Sequence, residues 1–210
     1  MSSQVRGGTR WRRFAVVMVP TVAATAAIGV AMAQGALAAS FSVSGQDFKV
    51  TADKLDATGF VQYGSLAKGN DLDGKPTLHP VAVSGFKTAD ITNMCQSVVT
   101  PNVPVFGSVS LMLRAGTGGT PVHAENIYLD VAELDADAEF SNIDIGVAAG
   151  SADKGPGIQP KTEANKFGFA QQADTAVLTK VKQRAWATSA GTFKLSGLNL
   201  RLHKGVKECY

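Results

Sequence analysis

Cysteine is almost missing from the 210 residues: there are two, Cys95 and Cys209, in no C-x-x-C pair. The three histidines, His79, His123 and His203, are scattered and show no H-E-x-x-H spacing. Neither set forms a sequence-local metal centre, and no metal or cofactor is expected. The serine pattern of hydrolases is missing too. No serine has glycine both two residues before it and two after it, and no HGGG-type run could build an oxyanion hole. His79, in a proline-flanked loop, and His123 and His203, at strand ends, read as ordinary surface histidines. No catalytic residue is expected from the motifs. Acidic residues are absent from residues 1–38, which carry Arg6, Arg10, Arg12 and Arg13.

Those arginines precede residues 14–39, which hold no charge at all. A basic start, an apolar run and a small-residue site make an export signal. Ala36-Leu37-Ala38 supplies the A-x-A pattern, so cleavage is expected between Ala38 and Ala39. The alternative is a retained signal anchor, because residues 14–33 are long enough to cross a hydrocarbon core as one N-terminal hydrophobic helix. Basic residues on its N-terminal side leave residues 39–210 outside the cell in either case. Ser40 stands where a lipoprotein would need cysteine, and the residues after Arg12-Arg13 fit the twin-arginine route poorly.

Removing residues 1–38 changes the charge. The chain has 20 Lys+Arg and 17 Asp+Glu. Four of the basic residues leave with the signal, so 16 face 17 acids and the net is −1. No basic stripe with interleaved aromatics remains, which excludes a nucleic-acid partner. What remains is enough for one domain with a sizeable core. In an oxidising extracytoplasmic space the Cys95 and Cys209 pair is expected to form a disulfide, tying the C-terminus to the middle of the chain.

From Ser40 onward apolar residues recur with a period of two, as in half-buried antiparallel strands. Examples are Val109, Leu111 and Leu113; Ile127, Leu129 and Val131; Ile143, Ile145 and Val147; and Leu198, Leu200 and Leu202. Residues 173–188 also read as a strand. Gly, Pro and Asn/Asp clusters at 68–80, 101–104, 115–121 and 150–166 read as connections, with 115–120 a hairpin between strands 109–113 and 122–131. An Ala-acid pair recurs at Ala52, Ala89, Ala124 and Ala173, each shortly before another apolar residue. The irregular spacing fits stacked long strands better than a solenoid. The expected fold is all-β: an antiparallel elongated sheet, sandwich or half-pipe. If it is curved, its apolar trough could hold an acyl chain.

Two charged patterns resemble ligand sites. Residues 69–75 match a phosphate loop, but Pro76 replaces the hydroxyl that would hold magnesium and lacks an N–H, so a solvated turn is expected. Asp71 and Asp73 lack the later bidentate acid of a calcium loop. Glu133, Asp135, Asp137 and Glu139 alternate with Leu134, Ala136, Ala138 and Phe140, which reads as one solvated and one apolar strand face. The aromatics are spread along the chain, most of them expected in the core.

The opening SSQVRGGTRWRRFAVVMVP, the junction AQGALAASFSVSGQDFKV, and the segments HPVAVSGF, CQSVVTP, LDADAEF and AWATSAGTFKLSGL resemble a Streptomyces-type actinobacterial family of unknown function. Its members often carry the automatic label "cholesterol esterase". The resemblance implies hydrolysis of a lipid ester but brings no catalytic residues with it. Three readings follow for the exported domain: a non-catalytic lipid-binding or structural module of the cell envelope, a lipid ester hydrolase, or a subunit of a membrane-anchored assembly. The partners they imply are a lipid or membrane surface, or a membrane protein.

Overall fold

The computed structural model describes residues 43–210. The expected signal or anchor helix and the Ala38–Ala39 cleavage site lie outside them. Nine strands follow in order: β1 (Phe48–Asn70), β2 (Pro76–Thr92), β3 (Met94–Val103), β4 (Gly107–Ala115), β5 (Val122–Ser141), β6 (Asp144–Ala148), β7 (Phe169–Ser189), β8 (Thr192–Lys194) and β9 (Asn199–Lys204). All named pairings are antiparallel. The strand periodicity of 173–188 is realised within β7.

The sheet closes on itself. β1 pairs with β2, β2 with β5, β5 with β7, and β7 again with β1. The circuit is strongly staggered. From Leu178 it passes to Leu55, Ile91 and Val122, yet Leu178 itself pairs with Ala138, sixteen residues along β5 from Val122. Such shear tilts the strands steeply around the ring axis. A four-strand ring leaves little room inside. Its inner face is accordingly crossed by a row of alanines, Ala124, Ala89, Ala57 and Ala176, each directly opposite the next and nearly solvent-free.

Strict alternation breaks along two lines across the sheet. Gly59, Asn126 and Asn142 have left-handed φ angles of 63°, 49° and 52°, and they fall in one cross-strand row. Asn93 and Lys180, at 52° and 54°, fall in a second row with Gly116. Glycine and asparagine adopt this conformation most readily. At each crease the alternation slips, so residues three apart both face inward: Ala57 and Phe60, Ala124 and Ile127, Ala52 and Leu55, Leu178 and Val181. The recurrent Ala-acid pairs at Ala52, Ala124 and Ala173 mark these places. Across the creases Asn93 Nδ2 donates to Asp53 at 2.6 Å and Asn142 Nδ2 to Asp174 at 2.8 Å.

Several expectations need correction, among them the connection at 101–104, most of which belongs to β3. Residues 115–120 do not form a hairpin: β4 pairs with β3 and β9, and β5 pairs with β2, β7 and β8. Residues 116–121 join two strands running on in one direction past the second crease. Residues 68–80 are mostly strand, and the turn between β1 and β2 is short. Pro76 opens β2, and Pro80 pairs only with Leu66, because β5 reaches no further than Ala82. A proline facing an open edge forfeits no ladder hydrogen bond. The aromatics also cluster in space, Phe60 lying 5.5 Å from Phe86 and 5.0 Å from Phe140, while Phe106, Phe167, Phe169 and Phe193 are exposed.

A second apolar layer covers the outer face. Val61, Tyr63, Val81, Val83 and Ala170 pack beneath the long connection from β6 to β7. Gln172 fastens it, its Oε1 accepting from the N–H groups of Asp153 and Lys154. Tyr63 Oη accepts from Gln159 N–H at 2.7 Å; burial pushes this hydroxyl's pKa far above the usual tyrosine range, more than that hydrogen bond lowers it.

Replacing Ala89 with leucine puts three more carbons into the alanine row. Overpacking of this kind costs about 1–3 kcal/mol. The expected lower midpoint can be read by urea denaturation.

Candidate functional site: a cavity inside the ring and an open leucine face

Inward positions of four strands surround a cavity of about 160 Å³. β1 supplies Leu55, Phe60 and Gln62; β2 supplies Ser84 and Phe86; β7 supplies Leu178, Val181 and Gln183. β5 contributes twice, first through Leu129 and then, after winding around the ring, through Leu134, Ala136, Ala138 and Phe140. The lining is apolar apart from the two glutamines of β1 and β7 and one serine. Gln62 Nε2 donates to Ser84 Oγ at 2.8 Å, and Gln62 Oε1 accepts from Gln171 Nε2 at 2.6 Å. Sequence reading missed Gln62, Ser84 and Gln183. Their only signal is a polar residue at an inward strand position, which becomes visible once the register is known.

The inner face does not stop at the ring. Val50 stands opposite both Gln183 and Gln96, Gln96 opposite Leu113, and Leu113 opposite Leu200. The next such row joins Val98, Leu111 and Leu202. This face of β3, β4 and β9 carries no covering layer among the described residues, and Leu202 is 69% exposed. The cavity, partly open to solvent, therefore shares one sheet face with an open apolar trough.

The opposite face of β3, β4 and β9 is latched. Cys95 and Cys209 form the expected disulfide. Cys209 N–H donates to Ser97 Oγ, and Lys207 N–H donates to Ser110 Oγ. Lys49 Nζ reaches Glu208 at 3.1 Å. The tail is thus held against the sheet along its length.

The acids of β5 lie where the alternation puts them. Glu133, Asp135, Asp137 and Glu139 are exposed, facing the basic residues of β7, with Asp137 2.9 Å from Lys180 and Glu133 3.5 Å from Arg184. Among the described residues no group of His, Cys, Asp or Glu is arranged to hold a metal ion. In the turn between β1 and β2, Asp71 Oδ1 accepts from the N–H groups of Asp73 and Lys75, closing a solvated turn.

The histidines sit apart from the cavity. His79 belongs to β2, not to a loop, and stacks on Trp186 at 3.5 Å between ring centroids. The open edge beside residues 76–81, which β5 leaves bare, makes room for that stack. His123 Nδ1 lies 2.8 Å from Asp90, a hydrogen bond that raises its pKa, with Glu125 adding to the effect at 3.7 Å. His203 stands opposite Ser110, whose hydroxyl donates to the Gly205 carbonyl. None of these histidines is hydrogen-bonded to a serine hydroxyl among the described residues, and Ser84 in the cavity bonds to a glutamine.

Asp130 is a different kind of group. It lies between Val83 and Ala187 in a row that also contains Tyr63. Burial raises its carboxyl pKa above the usual range. The folded state therefore holds this proton more tightly than the unfolded state. The site's contribution to stability falls as pH rises from the ordinary carboxylate range through the raised folded value. Asp130→Asn is expected to raise the thermal midpoint at pH 7 and to leave it unchanged at pH 3. For the latch, Cys209→Ser should cost roughly 2–5 kcal/mol, since the bridge spans 114 residues. Urea titration measures the loss, and amide exchange should quicken first in the C-terminal tail.

No curated protein and no solved structure matches the chain. One family model does, over residues 44–210, that of a family of unknown function (DUF6230).

Proposed function

The chain belongs to DUF6230, a family of unknown function, and we propose that it is an exported, non-catalytic lipid-binding module of the cell envelope. The observation that carries this reading is the single apolar face that forms a cavity inside the ring and then lies open along β3, β4 and β9. A cavity of about 160 Å³ is close to the roughly 150 Å³ that holds benzene in a protein interior. It takes the last few carbons of an acyl chain, and Leu111, Leu113, Leu200 and Leu202 offer the trough for the rest. Gln62, Ser84 and Gln183 give the lining polar points that fix orientation, as in small-molecule sites generally. The disulfide supports an oxidising, extracytoplasmic location, in keeping with the export signal expected from the sequence.

The test is binding of fatty acids of increasing length, followed by displacement of a fluorescent acyl probe. Each methylene buried contributes about 0.8 kcal/mol, or roughly fourfold in affinity, so affinity should climb with length and then level off. Ala136→Phe fills the cavity and should weaken probe binding at least tenfold with the thermal midpoint kept. Equal binding by this variant sinks the reading. Turnover of short-chain or cholesteryl esters, lost on changing one serine or histidine, would replace it with the hydrolase.

A further inference from the structure

We infer that the cleft between β4, β9 and the C-terminal tail binds a phosphate-class oxyanion. The cleft measures about 420 Å³ and is lined by Met112, Arg114, Asn199, Arg201, His203 and Lys207. None of these side chains is acidic. Register brings them together: Arg114 stands opposite Asn199, Met112 opposite Arg201, and Ser110 opposite His203. Arg114 and Arg201 are thus diagonal neighbours on one face, roughly 7–8 Å apart by sheet geometry. Lys207 arrives from the tail, held by its own N–H on Ser110 Oγ at 2.8 Å and by the Cys95–Cys209 bridge two residues on.

Cations gathered this closely repel one another, and an anion among them removes that cost. Among the described residues no carboxylate side chain lines the cleft. Arg114, Arg201 and Lys207 form no ion pair among the described residues, and what sets them apart from other unpaired basic residues is that they line one cleft. Glu208, the one acid within residues 94–115 and 194–210, is engaged by Lys49. Two guanidinium groups and an ammonium converging from two strands and a tail match a tetrahedral, multiply charged oxyanion, which arginine recognises in bidentate fashion. The volume leaves space for a group esterified to it. The cleft lies on the sheet face opposite the leucines, so it stands independently of the apolar cavity.

Calorimetric titration with inorganic phosphate at low salt tests the site, beside co-sedimentation with phosphatidylglycerol and phosphatidylcholine vesicles. Phosphate should bind the full chain, at least tenfold more weakly after Arg114→Gln with Arg201→Gln, and unchanged after Lys87→Gln. Acyl-probe binding should be unaltered in all three proteins. Stronger binding to phosphatidylglycerol vesicles than to phosphatidylcholine, reversed by phosphate, identifies a lipid headgroup as the source; phosphate binding without that difference identifies a soluble phosphate. Absence of both, or equal phosphate binding by the doubly substituted protein, overturns the assignment.

Discussion

β7 is hydrogen-bonded to β1 along one edge and to β5 along the other, and the closed ring depends on that double pairing. Without it β1, β2 and β5 would form an open ribbon with an apolar face in water. With it, the second half of β5 is carried back over the first, and Phe140 comes to rest against Phe60. The cavity exists because the stagger lets one strand line it twice. The alanine row is the steric counterpart: four strands close this tightly only where side chains are small.

The creases solve a second problem. A sheet with strict alternation would present every second residue inward along its length. Left-handed residues at Gly59, Asn93, Asn126, Asn142 and Lys180 let the strands bend and slip their facing by one. Asn93 and Asn142 then bond to aspartates on neighbouring strands, satisfying polar groups at the points where the ladder is disturbed. Beyond the second crease the same face opens into the leucine trough, so the bend divides a closed portion from an open one.

Charge is divided along the same line. The acids of β5 are answered by the basic residues of β7 around the ring. The β3, β4 and β9 end carries Arg114, Arg201 and Lys204, with Lys207 and Glu208 in the tail latched beside it. The ring pairs part of its charge across β5 and β7, and the other end presents leucines with Lys204 on one face and, on the other, Arg114, Arg201 and Lys207, which form no ion pair among the described residues. An amphipathic anion, apolar at one end and phosphate-like at the other, is the kind of molecule both halves of that surface would suit.

The amino-acid sequence by itself determined that the domain is built of antiparallel strands, because period two is a local property of each strand. It determined that Glu133, Asp135, Asp137 and Glu139 share one face of their strand while Leu134, Ala136, Ala138 and Phe140 share the other, and that the only two cysteines would join. The motifs at 69–76 and Asp71–Asp73 were legible as turns for the same local reason. Tertiary structure alone decided that β4 and β5 are collinear, that His79 sits in a strand against Trp186, and that Gln62, Ser84 and Gln183 share a cavity. It alone brought Arg114, Arg201 and Lys207 together. Each of these rests on the register between strands far apart in the chain. A one-residue slip in register turns every side chain to the other face, and no local pattern encodes where the creases make that slip.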